Sequence, residues 1–357
     1  MNRNNEKKEG FPIDLETPIF FIVGRGRSGS TLLQMMLDAH PNIQVPLESR
    51  FVVYLYKKYA HQKVWSQTVL KQFIVDLSQE KKINLYWDLD WAKLEKNILA
   101  QPENTSFAKL CKLVYCHHIS FFPKSEILLI GDKNPINSVF VPQLMEIFPD
   151  AKFIHLVRDP RANICSHLKS KMETNLGMAA LKWVEFNKYV EKVKLLRPKN
   201  YFLLRYEDFV SDPEIWLKEI TCFLQMEFRS EMLEYRSILT RKYQSSEKDL
   251  RYELFSAYHQ NLQKPVNKNL INNWKAYFSK EEIGQIEGIV HERMLKYDYI
   301  PATDNIRSAS FREKLHFLYR MKRLHAYYES PLFVRTGIAG LKNFLKPNKT
   351  ENHANSN

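Results

Sequence analysis

Residues 24–31 read GRGRSGST and have the composition of a phosphate-binding loop. Against the pattern G-x-x-x-x-G-K-[ST], both glycines and the final threonine match, but Ser30 occupies the lysine position. Arg25 and Arg27 bring positive charge into the loop instead. A glycine-rich turn that opens a helix offers backbone N–H groups and the positive end of the helix dipole to an anion. The alternative is a glycine turn that only packs a strand against a helix.

The missing lysine changes the chemistry expected of the loop. No strand clearly supplies a carboxylate for magnesium, and Lys133 would oppose a metal at Asp132, the nearest candidate. We therefore expect an anion that needs no metal. A sulfuryl group carries less charge than a phosphoryl group, so fixed cations and N–H donors could stabilise its transfer.

The elements around this loop alternate between strands and helices. Apolar runs predict strands at 18–24, 127–133, 151–157 and 201–208, with a further strand starting in HPNIQV, and helical spacing follows at 28–39, 137–150 and 212–224. This alternation predicts an α/β fold, a doubly wound parallel sheet flanked by helices. Because ligands bind at the carboxyl ends of such strands, we expect Arg27, Lys133, Arg158 and Tyr206 to converge on one crevice.

The chain divides by composition into a core domain with extensions. We predict an N-terminal extension at 1–17, a catalytic domain at 18–306, a basic amphipathic helical tail at 307–345 and a disordered end at 346–357. Within the domain, residues 52–126 form a helical, aromatic insert. Its aromatic residues could line an acceptor pocket, or they could pack as ordinary core.

The net charge of +13 suggests an anionic ligand, a membrane surface or a nucleic acid. The charge is concentrated in the tail and the chain shows no nucleic-acid-binding module, so we expect no nucleic acid partner. The four cysteines form no C-x-x-C pair, which favours reduced thiols. Without the apolar core of a signal peptide or a membrane span, the expected location is cytoplasmic.

The tail contains one predicted helix with apolar residues at helical spacing, namely Phe311, Leu315, Leu318, Met321, Leu324 and Tyr328. Two interpretations of this stripe stay open. The helix could dock on the core, or residues 311–345 could make a peripheral contact with a membrane surface and so associate the protein with it.

A second motif, VRDPRANICS, places Arg158 at a strand end and Ser166 two helical turns later. It resembles the 3′-phosphate-binding segment of sulfotransferases that use 3′-phosphoadenosine-5′-phosphosulfate (PAPS), and GRGRSGSTLL resembles their 5′-phosphosulfate loop. Four stretches, at 27–50, 131–135, 148–162 and 264–267, look like those of tyrosylprotein sulfotransferases and related Golgi and bacterial enzymes.

The resemblance implies a role for each matching residue and PAPS as co-substrate, with no metal. Arg27 would contact the 5′-phosphosulfate and stabilise the transferring group, and Lys133 would lie near the bridging oxygen. Arg158, Ser166 and Lys264 would hold the 3′-phosphate. The remaining cofactor contacts would come from Ser28, Gly29, Ser30 and Thr31 at the phosphate and from Tyr206 at the adenine.

This chain differs from cytosolic sulfotransferases at the expected general base. Those enzymes have the sequence Lys-x-His where this chain has Lys133 and the two residues after it. Pro135 occupies the histidine position here and cannot accept a proton. In the tyrosylprotein branch a glutamate does this work, and Glu48 matches it. Partial burial would raise the pKa of Glu48 and suit it to the task. Alternatively, Glu48 only pairs with Arg50 or Arg27, and His40 or a histidine of the pair at 117–118 becomes the candidate base.

The sequence thus predicts a sulfotransferase that moves the sulfuryl group of PAPS to a hydroxyl acceptor. A small molecule, sterol, lipid or sugar is the favoured acceptor, and a tyrosine side chain in a protein is the alternative. The rival from another class is a P-loop nucleotide kinase or nucleotide-binding protein, for which the loop lacks its lysine.

Overall fold

The structure, a computed structural model, describes residues 15–245, 271–304, 306–332 and 334–335. Its sheet has five strands, all parallel, in the order β2-β3-β1-β4-β5. The strands are β1 (Ile19–Val23), β2 (Ile43–Gln44), β3 (Leu129–Lys133), β4 (Lys152–Val157) and β5 (Tyr201–Arg205). The α/β class and the doubly wound parallel sheet predicted from the sequence are confirmed.

Helices cover both faces of this sheet. Up to β3 they are α1 (Ser30–Asp38), α2 (Phe51–Tyr59), α3 (Gln67–Ser78), α4 (Lys81–Tyr86), α5 (Trp91–Leu99) and α6 (Phe107–Cys116). Beyond β3 they are α7 (Val141–Ile147), α8 (Pro160–Lys169), α9 (Leu176–Leu196), α10 (Tyr206–Ser211), α11 (Pro213–Leu224), α12 (Tyr235–Ser245), α13 (Lys280–Leu295) and α14 (Phe311–Glu329). All five residues of β1 are buried, as expected of a strand covered on both faces.

The strand order places a switch point beside β1. The chain passes from β1 to the edge at β2, returns through β3, and then crosses to β4 on the other side of β1. Ile22 pairs with Lys133 of β3, and Val23 pairs with His155 of β4. The loop that follows β1 therefore lies between the ends of two diverging halves, where open α/β sheets bind their ligands.

Two predicted boundaries differ from the structure. The strand predicted at 201–208 ends at Arg205, because Tyr206 begins α10. The helix predicted at 137–150 is a 3-10 segment, Pro135–Phe140, followed by α7. Pro142 lies in the first turn of α7, where a residue without an N–H group is tolerated, so the two segments are separate helices.

The insert is helical, and most of its aromatic residues are core. Trp65 stacks on Tyr59 with ring centroids 5.6 Å apart, and both pack against the edge of Phe73. These three residues are fully or almost fully buried. Of the two interpretations of the aromatic residues, core packing accounts for this cluster.

The tail helix α14 docks on the core through Phe317, Met321 and Tyr328. The Tyr328 ring lies 4.8 Å from that of Phe140. The single stripe predicted from the spacing is wrong, because Phe311, Leu315 and Leu318 are 80%, 58% and 54% exposed, and Phe317 takes a place on the buried face. The C-terminal turns of α14 therefore pack as part of the same domain as the sheet.

The membrane contact expected at 311–345 finds no support in the comparisons described below. In the part of the chain that the structure describes, no helix is long and apolar enough to cross a membrane.

Candidate active site

The loop after β1 is shaped by three left-handed backbone positions. Gly24 has φ 135, and a Cβ there would lie 2.2 Å from the carbonyl oxygen of Leu156. Gly29 has φ 90, and a Cβ there would lie 2.4 Å from the Tyr206 ring. Arg27 adopts φ 66 without being glycine. Few non-glycine residues adopt this conformation, so the contacts around Arg27 must hold its backbone in place.

Helix α1 begins without a side-chain cap and without an acidic residue in its first turn. The N–H groups of Leu32 and Leu33 both donate to the carbonyl oxygen of Gly29, at 3.0 and 3.2 Å. The N–H groups that precede them belong to the first turn, whose donors have no acceptor inside a helix. Together with the helix dipole, they make this end of α1 a site for an anion.

The predicted nucleotide-binding residues come together at this loop. Arg27 Nε donates to Ser166 Oγ at 3.1 Å, and Arg158 Nη1 donates to the carbonyl oxygen of Arg27 at 3.0 Å. The guanidinium of Arg158 lies 4.5 Å from the centre of the Tyr206 ring, which packs against Gly29. The strand ends thus converge as the topology predicts.

Helix α8 braces the loop through two residues that sequence reasoning did not single out. Asn163 Nδ2 donates to the carbonyl oxygen of Gly26 at 2.9 Å and to Ser28 Oγ at 3.0 Å. His167 Nε2 lies 2.9 Å from the same carbonyl oxygen. The side chain of Ser28 is therefore engaged inside the fold. Asn163 and His167 lie within about one helical turn of Ser166. Their closeness to this predicted site residue could have identified them from the sequence.

A second group of contacts beside the loop joins Lys133, Glu48 and Thr31. Lys133 Nζ lies 2.7 Å from Glu48 Oε1 and donates to Thr31 Oγ1 at 3.2 Å. The other carboxylate oxygen, Oε2, accepts from Lys82 Nζ at 2.8 Å. Lys82 comes from α4 in the insert and was also missed, since its position is fixed by tertiary contacts alone.

Glu48 is ionised more readily than expected. Burial would raise the pKa of its carboxyl, but the charges and hydrogen bonds of Lys133 and Lys82 outweigh burial and hold the pKa well below its usual range. The expectation of a raised pKa is wrong for this reason. The partners of Glu48 are lysines, whereas the simple ion pair anticipated from the sequence involved Arg50 or Arg27.

Asp132, the candidate metal carboxylate, turns into the core. Its Oδ2 accepts a hydrogen bond of 2.5 Å from the hydroxyl of Tyr115. Burial raises the pKa of Asp132 to about 6. Among the described residues, no group of three or more His, Cys, Asp or Glu side chains is arranged to hold a metal ion.

The histidines considered as alternative bases are held elsewhere. His40 Nδ1 accepts from the N–H of Asn42 at 3.0 Å, and its Nε2 lies 3.0 Å from the carbonyl oxygen of Glu227. His117 pairs with Asn97 at 2.8 Å, and His118 packs on Trp87. Neither His40 nor the 117–118 pair lines the cavity beside Glu48.

A cavity of about 650 Å³ adjoins the loop and Glu48. Its floor includes Arg27, Lys133 and Glu48, and the insert contributes Lys82 and Tyr86. Opposite walls come from α9 and from α14, which supply Phe186, Arg320, Met321 and Leu324. The loop, the insert and the tail helix thus line this cavity together.

Lys264 and the surrounding 264–267 stretch lie outside the described residues. The predicted contact of Lys264 with a 3′-phosphate stays a prediction.

Residues 18–230 match the family model of the sulfotransferase family, which is more than half of the chain. The chain therefore belongs to that family. The sulfotransferase family expected from the two motifs is confirmed.

Similar curated proteins are protein-tyrosine sulfotransferases. The chain is 23% identical over 293 residues to the enzyme of Drosophila melanogaster, covering 80% of this chain and 51% of that protein. It is 23% identical over 291 residues to protein-tyrosine sulfotransferase A of Caenorhabditis elegans, covering 79% of this chain and 68% of that protein. The chain thus spans about half to two thirds of the length of these relatives.

A solved structure supports the fold. The sulfotransferase domain from the Synechococcus PCC 7002 olefin synthase superposes with a TM-score of 0.54 at 23% sequence identity, covering 79% of this chain and 95% of that domain. This likeness concerns the fold of the chain.

Proposed function

We propose that this protein transfers the sulfuryl group of PAPS to a hydroxyl group held in the cavity. The observation that carries the proposal is the meeting of Arg27, Lys133 and Glu48 beside the uncapped start of α1. Two cations and a row of N–H donors suit a transferring anion, and a carboxylate next to them suits the acceptor proton.

The loop fits a nucleotide that carries phosphate at two ends. Burial and then the charge of Arg158 lower the pKa of Arg27, which means that two guanidinium groups are held close together. Among the described residues no carboxylate forms an ion pair with Arg27. An anion between these cations would relieve their repulsion. In this proposal Arg158 and Ser166 hold the adenosine 3′-phosphate, and Tyr206 lies beside the adenine.

In the reaction, the acceptor oxygen forms a bond to sulfur while the bond from sulfur to the phosphate oxygen breaks. The acceptor proton goes to Glu48, and the products are a sulfate ester and adenosine 3′,5′-bisphosphate. Arg27 and Lys133 stabilise charge on the transferring group and on the departing phosphate oxygen. The N–H groups at the start of α1 hold the 5′-phosphate.

We propose a tyrosine side chain as the acceptor, ahead of the small-molecule acceptor first favoured. Curated relatives of this chain are named protein-tyrosine sulfotransferases. The pKa of Glu48 also favours a tyrosine acceptor. This pKa lies below its usual range, which makes Glu48 a weak proton acceptor. A phenol, with a pKa of about 10, gives up its proton far more easily than an alcohol does.

A small amphiphilic hydroxyl compound is the second candidate, because a cavity of about 650 Å³ is of the size that encloses such ligands.

An acceptor screen tests the proposal. Labelled PAPS and the full chain are mixed in EDTA with a tyrosine peptide, its phenylalanine twin, a simple phenol, a sterol and a sugar. Label on the tyrosine peptide but not on its twin supports the proposed acceptor. Label on the sterol or sugar alone would restore the small-molecule acceptor, and label on none of them would contradict the proposed function.

A further inference from the structure

The carboxylate of Glu48 is held from two sides by two different parts of the fold. Lys133 comes from the buried strand β3 and reaches Oε1 at 2.7 Å, with its side chain 2% exposed. Lys82 comes from the short helix α4 and reaches Oε2 at 2.8 Å, with its side chain 27% exposed. Lys133 also serves the loop through Thr31. Lys82 has Glu48 as its ion-pair partner among the described residues.

The segment that carries Glu48 is tied to α4 at both neighbouring residues. Trp87, at the end of α4, donates from Nε1 to the carbonyl oxygen of Leu47 at 2.6 Å. Ser49 Oγ donates to Glu80 Oε2 at 2.9 Å. Three consecutive residues, 47 to 49, are thus each bonded to α4 or to its flanks. These flanking hydrogen bonds distinguish the pair of Glu48 and Lys82 from an isolated surface ion pair.

Glu80 joins these contacts to the helix itself. Its Oε2 also accepts from the N–H of Ile83 at 2.9 Å and so caps the first turn of α4. The side chain of Ile83 is fully buried, which fixes the rotation of the helix. With rotation and start both fixed, Lys82 is directed at Glu48.

The other charged groups around Glu48 come from two elements. Arg50 precedes α2 and interacts favourably with Glu48, and Asp132 of β3 opposes it. Lys133 and Lys82 are the two cations in hydrogen-bond contact with the carboxylate. Both lysines line the cavity, but Lys82 is 27% exposed and Lys133 only 2%, so Lys82 is the contact that an incoming hydroxyl can replace.

We propose that Lys82 is a positioning residue for Glu48: it turns Oε2 toward the cavity and keeps the carboxylate ionised until the acceptor hydroxyl takes its place. This inference rests on the proposed function. It gives the insert a part in proton transfer, since Lys82 reaches Glu48 from α4.

The first test measures Glu48 in the free protein. The side-chain carboxyl of Glu48 is titrated by carbon-13 NMR, with Glu48→Gln to assign its signal. In Lys82→Met we expect the pKa of Glu48 to rise by about 1–3 units, because an opposite charge in contact has been removed. Lys82→Arg keeps the charge and should titrate like the parent. Lys81→Met, on the exposed side of the same helix, is the matched control.

The second test measures the pH dependence of the single-turnover rate with bound PAPS and with acceptor far below its KM, so that the acid limb reports Glu48 before the acceptor replaces Lys82. The acid limb of Lys82→Met should move upward by the same number of units as the NMR titration. A folded Lys82→Met that titrates and turns over like the parent overturns the positioning role, as does a Lys82→Arg that behaves like Lys82→Met. A parent that transfers no sulfuryl group overturns the proposed function instead, while the NMR titration still decides whether Lys82 controls Glu48.

Discussion

Arg27 Nε lies 3.1 Å from Ser166 Oγ, so residues 139 positions apart in the chain meet in one hydrogen bond. Arg27 belongs to the loop after β1 and Ser166 to the helix after β4, on the two sides of the switch point. Because the serine oxygen accepts this bond, its O–H is left to donate to a ligand. One ligand with an anionic group at each end can therefore join both segments.

Arg158 should serve affinity for the nucleotide alone. Arg158→Ala removes a charge-assisted contact to the 3′-phosphate and should weaken binding of adenosine 3′,5′-bisphosphate by about 1.5–3 kcal/mol. Calorimetric titration measures this loss. Arg197→Ala, which removes an arginine bonded to the carbonyl oxygen of Pro149, is the matched control and should bind like the parent. Equal affinity of both variants would place the 3′-phosphate elsewhere.

Glu48 should act on the acceptor proton and leave nucleotide affinity nearly unchanged. Glu48→Gln keeps the shape of the side chain but cannot take the proton, so the single-turnover rate should fall by about 10²–10⁴. Rapid-quench measurement with bound PAPS gives the rate, and calorimetry gives the affinity. A rate equal to that of the parent would exclude Glu48 as the base.

Asp132 should make folding stability fall as pH rises. Burial raises its pKa to about 6 in the folded protein, against about 3.9 in an unfolded chain. Between these values the folded state binds more protons than the unfolded state, so the free energy of unfolding decreases with pH in that window. Asp132→Asn removes the effect.

The stability of Asp132→Asn relative to the parent should therefore grow by about 2–3 kcal/mol from pH 4 to pH 6 and stay constant above. Urea unfolding of both proteins across this range is the measurement. A difference that does not change with pH would show that Asp132 keeps an ordinary pKa.

Leu324 should affect the acceptor without affecting the nucleotide. It lines the cavity from α14, so Leu324→Trp should fill acceptor space and raise the acceptor KM about tenfold, which corresponds to about 1.4 kcal/mol. Leu318→Trp is the matched control, since Leu318 is 54% exposed on the same helix. If the two variants have the same acceptor KM, α14 does not form a wall of the acceptor site.

The sequence alone predicted the sheet and the convergence of several site residues at its carboxyl edge. Buried strands give continuous apolar runs, and the residue that follows each run marks a position at the carboxyl edge. Arg27, Lys133, Arg158 and Tyr206 could be placed in one crevice on that basis. Local signals of this kind do not depend on distant parts of the chain.

The acceptor side could not be predicted in the same way. Whether Trp65 packs in the core or lines a pocket depends on how the helices of the insert pack together. Whether Leu324 faces the cavity depends on how α14 docks, and no local pattern specifies either. The low pKa of Glu48 depends first on Lys133 and then on Lys82, which lie 85 and 34 residues away in the chain. The sequence alone suggested only the effect of burial, which raises the pKa, because it could not show that two lysines together outweigh it.

Nucleotide binding without magnesium tests the central claim most directly. The full chain is titrated by calorimetry with adenosine 3′,5′-bisphosphate in EDTA, and separately with ATP and GTP in magnesium. We predict saturable binding of the bisphosphate in EDTA that weakens in Arg27→Ala. Tight, magnesium-dependent binding of ATP or GTP with no binding of the bisphosphate would contradict the assignment of the loop to a phosphosulfate.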